Sequence, residues 1–90
     1  MRTEISQYTA VSILSSAFRP LRCAAESVDY AEFVRFRIFD ENDEPILRME
    51  KLTAAQYGNR TALKQIIEHA RESLKKKEVV LDPWQMPDVI

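Results

Sequence analysis

Ninety residues with 13 basic and 14 acidic side chains, a net charge of −1, set the expectation of one small domain. The balance is far from the strongly basic one of a dedicated nucleic-acid binder and from that of an acidic disordered tail. A lone cysteine, Cys23, excludes an intramolecular disulfide, and a lone glycine, Gly58, excludes glycine-rich phosphate loops.

The chain opens on a predicted helix over residues 4–18, where Tyr8, Val11, Leu14 and Phe18 recur at three- and four-residue spacing. Ser6 or Thr3 can cap it, and Pro20 stops it, because the residue before a proline is pushed out of the helical region. Glu4, Gln7 and Ser12 break up what would otherwise resemble the apolar segment of a secretory leader. No apolar run reaches the length of a membrane-crossing helix, and a soluble, cytoplasmic protein is expected.

Leu21, Cys23 and Ala25 alternate with Arg22, Ala24 and Glu26 as a first strand, and "SVDYAE" turns the chain. In the second strand Val34, Phe36 and Ile38 form one face, opposite Phe33, Arg35, Arg37 and Phe39. In the third, Leu47 and Met49 oppose Ile46, Arg48 and Glu50. Pairing Phe39 with Ile46 gives Arg37–Arg48, Arg35–Glu50 and Phe33–Leu52 on one face, and Ile38–Leu47, Phe36–Met49 and Val34–Lys51 on the other. "DENDEP" is then the connection, and a three-residue turn with a bulge is the alternative. With so little glycine, Asn and Asp are expected at left-handed turn positions.

Thr53 and Gln56 have capping-box spacing, Gly58 can close a short turn, and Asn59 can cap a helix running to about Lys77. Leu63, Ile66, Ile67, Ala70 and Leu74 lie on its apolar stripe. The tail carries Trp84, Met86, Val89 and Ile90 between and beyond prolines 83 and 87. The order predicts an α+β domain over residues 1–78, helix–three antiparallel strands–helix, with both helices on one sheet face and an extended tail over 79–90. The expected core is Val11, Leu14, Phe18, Leu21, Cys23, Phe36, Ile38, Leu47, Met49, Leu63, Ile66, Ile67, Ala70 and Leu74.

Catalytic chemistry finds little support. "DENDE" spaces oxygens as at the start of a calcium loop, but Pro45 and Lys51 stand where that loop needs glycine and glutamate. Cys23 falls on an apolar strand face and His69 at the edge of a polar helix face, so neither a thiolate nucleophile nor a zinc site is expected. Glu26, Glu32 and Glu50 each have an arginine as a plausible neighbour, which suits solvated cross-strand pairs better than general acids. No enzyme activity, cofactor or metal is expected.

The distinctive surface is the outer sheet face. Phe33, Arg35, Arg37, Phe39 and Arg48, with Arg22, are residue types that protein interfaces enrich and that can also hold nucleic acid. The face is too apolar to be left to water. The expectation is therefore that it is covered by the tail, through Trp84, or by a second copy in a homodimer, with protein binding through the open sheet face and tail.

"SILSSAFRPLRC", "VRFRIFDENDEPILR" and "LKQIIEHARESL" resemble small uncharacterised bacterial proteins, commonest in pseudomonads, classed as a domain-of-unknown-function family; that resemblance implies no site. A second resemblance, of topology only, is to the double-stranded-RNA-binding domain. It implies phosphate contacts at the start of the last helix, here Arg60 and Lys64, and makes nucleic acid the alternative partner. Between the first two strands the chain reads "AESVDYAE" where that family carries Gly-Pro-x-His.

Overall fold

A computed structural model describes residues 5–28 and 33–87. The elements are α1 (Gln7–Ser16), β1 (Arg22–Val28), β2 (Phe33–Phe39), β3 (Pro45–Leu52), α2 (Ala54–Tyr57) and α3 (Arg60–Lys76). The strands form an antiparallel sheet in the order β1-β2-β3, and α1, α3 and the inner sheet face share one core. The expected α+β fold is therefore the one adopted, with the short α2 added. The "SVDYAE" turn, Glu32, Thr3, Val89 and Ile90 fall wholly or partly outside the described residues.

Ser6 caps α1 by accepting the Thr9 N–H at 3.1 Å. The helix is rotated from the expected stripe. Ala10, Ile13, Leu14, Ala17 and Phe18 are buried, Val11 is only partly buried, and Tyr8 is 77% exposed. Apolar residues lie on most sides of this helix, so spacing alone does not select a face. Ala10 and Ala17 present the least side chain and let the helix approach its neighbours closely, which leaves the Tyr8 ring outside.

The β2–β3 register matches expectation only in its centre, where Phe36, Arg37 and Ile38 face Met49, Arg48 and Leu47. Both ends are shifted. Phe39 faces Pro45 rather than Ile46, and Val34 faces Leu52, which is fully buried rather than on the outer face. The first shift comes from the turn. Asp40 and Glu44 close a three-residue loop, with the Asp40 N–H donating to the Glu44 carbonyl at 2.9 Å and Asp43 in the left-handed region at φ 66°. One Asp40 carboxylate oxygen accepts the Asn42 and Glu44 N–H groups, both at 2.9 Å, which favours this turn without glycine. Ile46 is then the extra residue of a bulge. A second bulge sets Glu50 and Lys51 against Arg35 and returns Leu52 to the core.

Gln56 accepts the Thr53 N–H at 2.9 Å at the start of α2, and Asn59 accepts the Ala62 N–H at 3.0 Å at the start of α3. Gly58 has φ −83°, so it is not needed for a left-handed turn. Its role is close approach, because a Cβ there would stand 2.6 Å from the Ala54 carbonyl oxygen. Leu63, Ile67, Ala70 and Leu74 are the buried stripe of α3, and Ile66 lies at its margin.

The C-terminus of α3 is a Schellman motif. The Val79 N–H donates to Leu74 O at 3.1 Å and the Glu78 N–H to Lys75 O at 2.9 Å, with Glu78 at φ 66°. A non-glycine residue in that region costs about 1 kcal/mol. Glu78→Gly should therefore stabilise the fold by roughly 0.5–1 kcal/mol in denaturant unfolding, after the entropy glycine adds to the unfolded chain.

The tail departs most from expectation. Residues 79–87 are neither helix nor strand, and they run beside α1 and α3 rather than over the outer sheet face. Arg71 donates to Ala17 O at 2.6 Å and to Asp82 O at 2.7 Å, and the Asp82 N–H donates to Arg19 O at 2.8 Å. Further on, Arg60 donates to Met86 O at 3.3 Å and Pro87 O at 3.2 Å. Met86 is 6% exposed, and Val79, Leu81 and Trp84 pack against the core. The tail follows this path because arginines on α3 supply donors to its backbone while its apolar side chains find the helix layer.

Candidate interaction surface

The alternation of β2 sends Val34, Phe36 and Ile38 into the core and Phe33, Arg35, Arg37 and Phe39 outward. On one side β1 places Val28, Glu26, Ala24 and Arg22 opposite these outer residues in turn. On the other, β3 contributes Arg48 opposite Arg37, and its bulge adds Glu50 and Lys51. The outer face is thus a three-strand surface on which nearly every charged side chain has a cross-strand neighbour.

Glu26 forms an ion pair with Arg35, and Arg48 Nε lies 3.2 Å from Glu50 Oε2. The Arg22 guanidinium lies 2.8 Å from Asp43 Oδ1 and 4.0 Å above the centre of the Phe39 ring. Lys51 Nζ lies 4.5 Å above the Phe33 ring. Both rings are half-buried, each beneath a cation from an adjacent strand, so intramolecular cation–π contacts account for much of their tolerance of this face. The ion pairs are exposed, and each contributes at most about 1 kcal/mol.

Arg37 differs from its neighbours. Among the described residues it has neither an ion pair nor a hydrogen bond, and its cross-strand neighbours are Arg48 and Ala24. The small Ala24 side chain leaves room beside it. A shallow depression of about 340 Å³ lies there, bordered by Glu26, Arg35, Arg37 and Glu50. Like charges facing each other across strands are destabilising, and Arg48 is offset by Glu50, so Arg37 is the outer-face arginine whose charge no described carboxylate balances.

The structure brings together Phe33, Arg35, Arg37, Phe39 and Arg48. It does not bring Trp84 to them, because that ring lies beside Ser16, Ala17 and Arg19 at the end of α1. Nor does it leave Arg60 free for phosphate, since its guanidinium holds the tail. Lys64 is exposed on α3. Lys51 joins the outer face although strict alternation turns it inward opposite Val34. The awkwardness of a lysine at that position is the sequence signal for the bulge.

Burial pushes the Cys23 thiol up to about 12 from an ordinary 9.0, which holds it in the un-ionised form and removes its nucleophilic character. His69 lies on α3 in a groove beside β3, whose lining does not include Cys23. Among the described residues no three His, Cys, Asp or Glu side chains are grouped to hold a metal, and no helix is long and apolar enough to cross a membrane.

The arrangement is a mixed charged and aromatic outer face on an α+β module with an open three-stranded sheet. Comparisons with protein-family models, curated proteins and solved structures found no match to the chain.

Proposed function

We propose that the protein is a small, cytoplasmic, non-enzymatic interaction module that binds an acidic surface of another protein through its outer sheet face. Arg37, with Arg48 beside it, takes a carboxylate of the partner, and the half-exposed Phe33 and Phe39 rings take its apolar side chains. The observation that carries this reading is Arg37, a guanidinium without a carboxylate among the described residues and set opposite a second arginine. Arginine flanked by aromatics is the composition that protein interfaces enrich. The nucleic-acid alternative has less support, because Arg60, expected to contact phosphate, is spent on the tail.

Arg37→Glu tests the reading cleanly. It places a carboxylate opposite Arg48, an arrangement that favours the sheet, so loss of binding cannot be put down to unfolding. Immobilised full-length chain should retain a protein from lysate whose recovery falls about tenfold or more with the variant, a difference of at least ~1.4 kcal/mol. Equal recovery by both chains would overturn the proposal. Recovery of nucleic acid instead, abolished by nuclease and by the variant, would favour the alternative.

A further inference from the structure

We propose that two copies of the chain join edge to edge along β3, antiparallel about Met49, so that their sheets become one six-stranded sheet. This goes beyond the binding face described above, which it leaves open and doubles in width. Among the described residues β3 is hydrogen-bonded to β2 alone, which leaves backbone groups on its other edge without a strand partner there. Beside that edge a groove of about 560 Å³ separates β3 from α3, bordered by Leu47, Met49, Ala62, Ile66 and His69. Leu47, Met49 and Ile66 pack on the core yet remain partly uncovered. The opposite edge, β1, offers the smaller Cys23, Ala25 and Ser27 on its inner side.

The occupant is argued from charge. Bulges at Ile46 and at Glu50–Lys51 limit regular pairing with β2 to Leu47–Met49 and shorten the regular edge, which suits a short symmetric contact through Arg48, Met49 and Glu50 better than a long added strand. Four two-fold centres lie within reach. Centred on Arg48, the contact opposes two Arg48 side chains, and centred on Glu50 it opposes two Glu50 side chains. Centred on Leu47, it sets Glu50 against Glu44. Centred on Met49, each Arg48 faces the Glu50 of the other copy, and the two Met49 side chains meet on the inner side, next to Ile66. Among residues of β3, only this last register sets opposite charges across the two-fold axis, and such isologous contacts are the commonest form of self-association.

Sedimentation of the unmodified chain should show a concentration-dependent dimer. Glu50→Arg should weaken it about tenfold or more, and the exchange Arg48→Glu with Glu50→Arg should restore it, because the exchange keeps the opposite-charge pairs and loses only their direction. An independent readout is cross-linking in a Cys23→Ala background. Met49→Cys should give a disulfide-linked dimer under mild oxidation. Leu47→Cys should not, because in this register the two copies of that position stand four residues apart, roughly 13 Å, beyond disulfide reach. A monomer at all concentrations, a dimer indifferent to Glu50→Arg, or equal cross-linking at both positions would overturn the proposal. None of these outcomes depends on Arg37, so failure here is distinguishable from failure of the binding-face reading.

Discussion

Phe36→Ala should cost about 3–5 kcal/mol in denaturant unfolding, while Phe39→Ala should cost about 1 kcal/mol or less. The two residues belong to one strand and are only three positions apart, yet their environments are opposite. Phe36 is 1% exposed and stacks on Phe18, with ring centres 5.7 Å apart and planes 16° apart. Its backbone neighbours are Ala25 and Met49, so truncation leaves a cavity beneath both helices that neither strand can close. Phe39 is half-buried at the turn, under the Arg22 guanidinium, and its removal loses one cation–π contact and part of an exposed apolar surface. Equal costs for the two would show that the inner and outer faces are wrongly assigned.

Deleting residues 79–90 should destabilise the fold on the order of 4 kcal/mol and expose apolar surface between α1 and α3. Met86 is buried, and Val79, Leu81 and Trp84 are partly so. Burial of one such side chain is worth about 1.5–3 kcal/mol when complete. The deletion also strips Arg60 and Arg71 of carbonyl acceptors on the tail, although Arg71 keeps its bond to Ala17 O. A rise in hydrophobic-dye fluorescence together with a lower unfolding midpoint is the expected result. The same midpoint and dye signal in both chains would contradict the placement of the tail. Met86→Ala alone should reproduce roughly half of the loss, about 2 kcal/mol.

These two regions also mark how far the sequence could be read. The inner face of β2 was legible because Val34, Phe36 and Ile38 alternate strictly with charged or aromatic residues, and α3 was legible because its stripe and its Asn59 cap agree. The centre of the hairpin register followed from that alternation. Its ends followed only in part. The three-residue turn with a bulge, the alternative connection, is the one adopted, and the second bulge is signalled only by Lys51 at an inward position. A bulge depends on backbone conformation at Asp43 and around Glu50 rather than on side-chain period. The buried face of α1 was obscured by apolar residues on several sides. That the tail packs was legible in Trp84 and Met86. Where it packs was not, because Arg60 and Arg71 bind carbonyls, which every residue supplies. The same limit removed Trp84 from the outer face, while Phe33, Arg35, Arg37, Phe39 and Arg48 came together as the alternation required.

The most direct test of the proposed binding face is site-specific photo-cross-linking in cells. A photoreactive phenylalanine analogue is placed at position 39, on the outer face, or at position 8, where Tyr8 is exposed on α1. The account predicts a discrete protein adduct from position 39 that is absent from position 8 and is lost when Arg37→Glu is added. Adducts of equal yield from both positions, or an adduct from position 39 that survives Arg37→Glu, would contradict it.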